Sequence, residues 1–329
     1  MTFVDQVQLA QRVASGDRQA LAQAITIAES TRADHRRATT ELLKTLGTVT
    51  HRSTRVGISG VPGVGKSTLI DALGCHIVAQ GHRPAVLTVD PSSARSGGSI
   101  LGDKTRMPNL SQCGEAYIRP SPTSGALGGV GRHTRETIQL CEAAGFDIVL
   151  VETVGVGQSE YAVSGMTDVF LLLLLPAGGD ELQGIKRGIM ELADVVMVNK
   201  ADGVLEQTAR GTAADYANAI RLLKPRSNSW AVPVEAGSAL QREGIDRIWS
   251  QIMACASVLN ETGELQARRT EQSLTWMWDD TIATLKTKLE SDESLRPTIV
   301  AMEAQVRAGT LTPTAAAERL VSAFLNRRE

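Results

Sequence analysis

The sequence predicts an α/β fold: a mostly parallel sheet in three layers, with helical extensions at both ends. Three observations carry this. From Arg55 onward, short β-rich runs alternate with helical stretches, the pattern of strands wound with crossover helices. Most of those runs lack polar alternation, which suits strands buried on both faces. No strand pattern precedes Arg55, and none follows Asn260.

The first fifty residues read as helices. Leu9, Val13, Leu21, Ile25 and Ala28 recur at helical spacing, interrupted by Ser15-Gly16-Asp17. Asp17 suits the N-cap of the helix that follows. Arg32 to Leu46 continues with a charged face. Strands are expected at Val56-Gly57-Ile58-Ser59, Ala85 to Val89, Ile148 to Val151, Val169 to Leu175, Val195 to Val198 and Trp230 to Val234. Glu264 to Glu290 reads as one long helix, striped by Leu274, Trp278, Ile282, Leu285 and Leu289, with Trp276 off the stripe. Pro297 breaks the chain before a helix over Thr298 to Ala308, closed by Gly309. Thr312 and Pro313 fit the N-cap and N1 of a last helix. The expected organisation is a helical extension over 1–50, the sheet domain over 51–260 and a helical arm over 261–329.

Composition excludes some functions. Lys and Arg total 34 against 36 Asp and Glu, a net charge of −2, which argues against dominant binding to a nucleic-acid backbone and leaves no polybasic membrane footprint. The apolar run Val169 to Leu175 is too short to span a bilayer. The first residues carry no basic and apolar leader, so a cytoplasmic protein is expected. Cys75, Cys113, Cys141 and Cys255 are dispersed, as expected of thiols in a reducing compartment. Rings are few, with four Phe, four Trp and three Tyr, whereas Gly numbers 30. The glycines therefore direct attention to loops where backbone approaches a ligand.

Gly60-Val61-Pro62-Gly63-Val64-Gly65-Lys66-Ser67-Thr68 has the spacing of a phosphate-binding P-loop. It follows a strand run and precedes an apolar helical one, the context that motif requires. Backbone N–H groups and the helix N-terminus would cradle the phosphates. Lys66 would reach the β- and γ-phosphates, and the Ser67 hydroxyl would ligate Mg²⁺. Asn199-Lys200-Ala201-Asp202 stands at the end of the run Val195 to Val198. The Asp202 carboxylate can accept from guanine N1–H and the 2-amino group, a pair adenine does not offer. Ser238, Ala239 and Leu240, after the next run, are candidates for a second base-contacting loop. The ligand expected is GTP or GDP.

Two carboxylates end apolar runs on the P-loop edge, Asp90 after Val89 and Glu152 after Val151. Ligands gather at the carboxyl ends of parallel strands, and Mg²⁺ takes one or two carboxylates with phosphate oxygens and water. Gly155, three residues past Glu152, can offer its N–H to a γ-phosphate, as a switch loop does. Asp103 and Lys104 sit in a glycine-rich stretch between the two carboxylates. Further glycine-rich stretches fall at 125–131 and 178–184. Val156 occupies the place where Ras-like proteins carry a water-orienting Gln, so slow turnover alone is expected.

Glu152 to Glu160, with Val89-Asp90-Pro91-Ser92-Ser93, residues 97–107 and Ile118-Arg119-Pro120-Ser121-Pro122, resembles the MeaB/ArgK type of SIMIBI-class P-loop GTPases. These are chaperones of adenosylcobalamin-dependent acyl-CoA mutases. The resemblance spans nearly the whole chain. It implies a homodimer held by the C-terminal arm and GTP-gated loading of adenosylcobalamin onto a mutase, with protection or reactivation of that enzyme. It places Asp90, Asp103 and Glu152 in the Mg²⁺ and γ-phosphate region. It makes Asp180 to Arg187 the mutase-facing switch, with Lys186 a catalytic candidate and Gln183 beside it. The alternatives, a metal-inserting GTPase or a kinase, lack their marks here. The Cys and His residues are scattered where a metal site needs convergent ligands, and nothing marks an acceptor-positioning base.

Overall fold

The computed structural model describes residues 3–47, 53–90, 106–122, 127–153, 159–176 and 187–326. They fall into two units, Met1–Gln272 and Ser273–Glu329.

The first unit opens with α1 (Phe3–Ala14), α2 (Arg18–Ala28) and α3 (Ala33–Leu46). Asp17 caps α2 as its position predicts, accepting from the Gln19 and Ala20 backbone N–H groups at 2.9 and 3.1 Å. Leu21, Ile25 and Leu42 are fully buried, so the helical spacing of the sequence is packed as one apolar face.

Seven strands then form one sheet in the order β3-β2-β4-β1-β5-β6-β7. They are β1 (Thr54–Gly60), β2 (Pro84–Asp90), β3 (Tyr117–Pro122), β4 (Ile148–Thr153), β5 (Val169–Leu174), β6 (Val195–Val198) and β7 (Val234–Ala236). Every pairing is parallel. Helices α4 (Lys66–Ala79), α5 (Leu127–Ala143), α6 (Ser159–Ser164), α7 (Arg187–Met190), α8 (Glu206–Ile220) and α9 (Ile245–Glu261) join and cover the strands. One face packs Val56, Ile58, Leu150 and Leu171 against Leu69, Leu73, Ile77, Ile248 and Ile252 of α4 and α9. On the other, Leu172, Leu174, Val196 and Val198 meet Ala209, Ala213 and Tyr216 of α8. Burial on both faces explains the missing polar alternation.

Two strands differ from expectation. β3 carries Pro120 and Pro122, which mark a segment as non-strand when it is central. Among the described residues it is an edge strand, paired with β2 in a register that includes Thr88↔Pro120 and Asp90↔Pro122, the place in a sheet where proline is tolerated. The run Trp230 to Val234 becomes a strand only from Val234, directly after Pro233, which has no N–H to give to a ladder; Trp230 donates its indole N–H to the Asp194 carbonyl at 2.8 Å.

Helix α10 (Glu264–Glu290) runs across the division between the units. In the second unit it is followed by α11 (Arg296–Arg307) and α12 (Pro313–Leu325). The Thr312 hydroxyl caps α12 by accepting from the Ala315 N–H at 3.3 Å. Of the expected stripe, Leu274, Trp278, Ile282 and Leu285 are exposed and Leu289 is half-buried. No helix of the described residues is long and apolar enough to cross a membrane.

Candidate nucleotide site

Because the strands are parallel, the residues ending β1, β4, β6 and β7 share one edge of the sheet. Gly60 to Thr68, Glu152, Asn199 to Asp202 and Ser238 to Leu240 are thereby brought together from four distant stretches of chain. Asp90 ends β2 on the same edge; its side chain lies outside the described set. Asp103, Gly155, Gln183 and Lys186 lie outside the described residues.

Lys66 opens α4 and is buried. Its ammonium folds back onto the loop, donating to the Gly60 carbonyl at 2.7 Å and the Val61 carbonyl at 3.2 Å. Burial pulls its pKa below the usual lysine value, while the Glu152 and Glu160 carboxylates pull the other way. A partly desolvated cation at a helix N-terminus is a ready seat for phosphate. Ser67, next in the helix, donates its hydroxyl to Glu152 Oε1 at 3.1 Å. Glu152 is buried at the end of β4, level with Ile58 of β1. A hydroxyl and a carboxylate held this close form the oxygen-rich donor set that a hard divalent cation takes.

Gly65 sits at φ 97°, and a Cβ there would stand 2.7 Å from Asn199 Nδ2. The glycine is therefore required twice, by the left-handed backbone and by the close approach of Asn199. That side chain ties the site together. Asn199 Nδ2 donates to the Val64 carbonyl at 2.8 Å, and Asn199 Oδ1 accepts from the Ala239 N–H at 2.9 Å. One buried amide thus joins the phosphate loop to both base loops. The backbone adds two further bonds, Ala201 N–H to the Gly237 carbonyl at 3.1 Å and Gly237 N–H to the Val198 carbonyl at 3.0 Å. Lys200 takes a φ of 61°, an uncommon conformation for a residue with a side chain, of the kind held at functional turns. Asp202 accepts from the Ser238 hydroxyl, and Ser238 Oγ in turn accepts from the Gln241 N–H at 3.1 Å. Lys200, Thr68 and Leu240 are exposed beside these buried groups.

The sequence reading missed two participants. Thr153 donates to Ser59 Oγ at 2.9 Å, both buried, stitching β4 to β1 just below the loop. Glu160 is only 4% exposed and adds its charge to that of Glu152 near Lys66. Its signal was a carboxylate in a stretch flanked by glycines, but only burial separates it from a solvated helix residue.

With this geometry in view, residues 21–294 match the family model described as Methylmalonyl Co-A mutase-associated GTPase MeaB. The chain belongs to this family. It is 52% identical over 320 residues to a Putative GTPase of Caulobacter vibrioides, covering 96% of this chain and 97% of that one. It is 47% identical over 335 residues to the mouse protein Methylmalonic aciduria type A homolog, mitochondrial, covering 99% of this chain and 80% of that one. The solved structure of a LAO/AO transport system kinase superposes with a TM-score of 0.75 at 34% identity, covering 99% of both chains. As a MeaB-family member the chain binds guanine nucleotide and hydrolyses GTP. The seven-stranded parallel sheet with flanking helices is the P-loop GTPase fold that the sequence predicted.

Proposed function

We propose that this GTPase serves an adenosylcobalamin-dependent acyl-CoA mutase, gating the loading of the cobalamin cofactor and protecting or reactivating the enzyme. The observation that carries the reading is the Asn199 amide, which joins the phosphate loop and both base loops into one unit in a chain matched to a mutase-associated family over residues 21–294. Lys66 neutralises phosphate charge, and Asp202 with Ser238 to Leu240 holds the guanine. Ser67 and Glu152, with Asp90 and Asp103, would hold Mg²⁺, which fits the adjacent hydroxyl and carboxylate oxygens. The metal supplies charge neutralisation at the transferring phosphoryl group.

Gly155 reports the γ-phosphate, and Lys186 with Gln183 completes the site when the mutase docks. Hydrolysis is slow alone and faster with the partner. The C-terminal helices form a homodimer arm in a cytoplasmic protein that needs neither nucleic acid nor membrane. Support for the arm comes from its exposed apolar stripe, with Trp278 60% and Ile282 64% exposed, since contiguous exposed apolar surface marks interaction sites. A GTPase assay with and without the cognate mutase tests the proposal. Stimulation is expected; equal rates in both arms would overturn the partnership, and no hydrolysis in either would overturn the enzyme.

A further inference from the structure

Helix α6 has six residues, too few to hold itself together in water, yet it carries the buried Glu160, whose charge adds to that of Glu152 at Lys66. Its inner side rests on β1. A Cβ at Gly57 would lie 2.8 Å from Thr167 Oγ1 and 2.9 Å from Val163 Cγ1, so α6 and the turn after it are pressed onto the strand three residues before the P-loop. The last carbonyls of a helix need donors. Two of those here are served locally. The Tyr161 carbonyl accepts from Ser164 Oγ at 3.1 Å, and the Val163 carbonyl accepts from Thr167 Oγ1 at 2.9 Å.

Three carbonyls at and beyond the helix end, those of Ser164, Thr167 and Asp168, are served from far away in sequence. Arg226 Nη2 donates to the Ser164 carbonyl at 3.0 Å, and Gln272 Nε2 donates to the Thr167 carbonyl at 2.9 Å. Arg268 Nη1 donates to the Asp168 carbonyl. Arg268 and Gln272 stand in the opening turns of α10. Both arginines also grip Asp194, which is 1% exposed: Arg226 Nη1 at 2.7 Å and Arg268 Nη1 at 3.1 Å. Asp194 accepts from the Phe170 N–H as well, at 2.9 Å. Beside it, Asp168 takes Arg269 Nε at 2.8 Å and the Arg55 N–H at 2.9 Å. Buried charges with several donors each hold one geometry. This network lies at the amino ends of β1, β5 and β6, opposite the nucleotide loops.

We propose that Arg226, Arg268 and Gln272 are positioning residues for the nucleotide site. They fix the tail of α6 and the turn after it against β1 at Gly57, three residues before the P-loop, and by linkage the nucleotide state is felt at the root of α10. The proposal rests on the reading of Lys66 as a phosphate ligand. Gln272 is the residue to change, because it makes one neutral hydrogen bond and carries no charge. Gln272→Leu keeps the bulk and loses the donor. Gln272→Glu keeps the shape but faces the Thr167 carbonyl with a carboxylate, which can donate only when protonated, and burial raises the pH at which that happens.

The experiment measures GTP hydrolysis by the full chain at pH 5.5 to 8.5 for wild type, both variants and Thr270→Ala, an exposed neighbour whose hydroxyl bonds only its own helix. Gln272→Leu is expected to lower kcat roughly fivefold at every pH, the scale of one net hydrogen bond, with KM little changed. Gln272→Glu is expected to match it at high pH and recover as pH falls, whereas Thr270→Ala stays at the wild-type rate. Wild-type rates for both Gln272 variants, or identical pH profiles for them, would overturn the proposal. Should the variants not fold, hydrogen exchange on the wild type decides. Protection of residues 264–272 must differ between GDP and an imido analogue of GTP; equal protection overturns it. Nucleotide binding is measured on the same samples. If no nucleotide binds, the proposed function fails; if it binds and exchange is unmoved, only this inference fails.

Discussion

Ser67 and Glu152 meet across 3.1 Å, although 85 positions separate them in the chain. The contact joins the first turn of α4 to the end of β4, where a divalent cation and a γ-phosphate would be handled. Glu152→Gln keeps the shape and removes the charge. Steady-state GTP hydrolysis is expected to fall roughly a hundredfold, the scale seen when one electrostatic contact in a catalytic site is lost. GTP binding, followed by calorimetry, should weaken much less. An unchanged rate would remove Glu152 from the chemistry.

Asp202 accepts from Ser238 and is free to accept again from a base edge. Asp202→Asn exchanges an acceptor-only group for one that also donates. Xanthine carries a carbonyl where guanine has its 2-amino group, so competition binding should show GTP weakened at least about tenfold and xanthosine triphosphate gained. A variant still preferring GTP would place the base elsewhere.

Gly65→Ala should be damaging out of proportion to its size. The added carbon would sit 2.7 Å from Asn199 Nδ2, on a backbone at φ 97°. Strain of this kind costs about 1–3 kcal/mol, and relief requires Asn199 to give up its 2.8 Å bond to the Val64 carbonyl. Chemical denaturation and GTP titration should both register the loss. Wild-type values in both would show that the loop accommodates a side chain.

Lys66 yields a pH dependence with a definite sign. Burial holds its folded pKa below the unfolded value, so the unfolded chain binds this proton more tightly. The nucleotide-free protein is therefore penalised at neutral pH, and the penalty fades as pH rises through the lowered folded pKa. Relative to Lys66→Met, the wild-type melting temperature should climb as pH rises toward the ordinary lysine value of 10.5, while the variant loses GTP binding. A difference that shrinks with pH would contradict this sign.

Trp276 tests the arm. It lies off the exposed stripe of Leu274, Trp278, Ile282 and Leu285, and is itself partly covered. If it packs across a dimer seam, Trp276→Asp shifts sedimentation toward monomer. A dimer of unchanged stability would refute that placement.

Much of the site was legible because nucleotide binding needs residues at fixed local spacing. Gly60 to Thr68 and Asn199 to Asp202 each carry their geometry within a few residues, and the strand before each loop shows as an apolar run. Glu160 was not legible in the same way: its role depends on its burial in the folded chain. β3 was hidden because prolines exclude a central strand, and only the tertiary fold made it an edge. The root of α10 was hidden too. Arg268 and Gln272 look like residues of a charged surface helix until Asp194 and the Thr167 carbonyl are placed beneath them.

The sequence by itself determined the alternation of strand and helix, the phosphate loop, the base-reading string and the family, since these reside in local pattern and short-range spacing. The tertiary structure alone decided which carboxylate faces Ser67, that one amide at Asn199 binds three loops together, and that the far edge of the sheet is closed by part-buried arginines on the buried Asp168 and Asp194. Those are contacts between residues tens to hundreds of positions apart. They exist only once the sheet order β3-β2-β4-β1-β5-β6-β7 has set which strand ends are neighbours and how deeply each charge is buried.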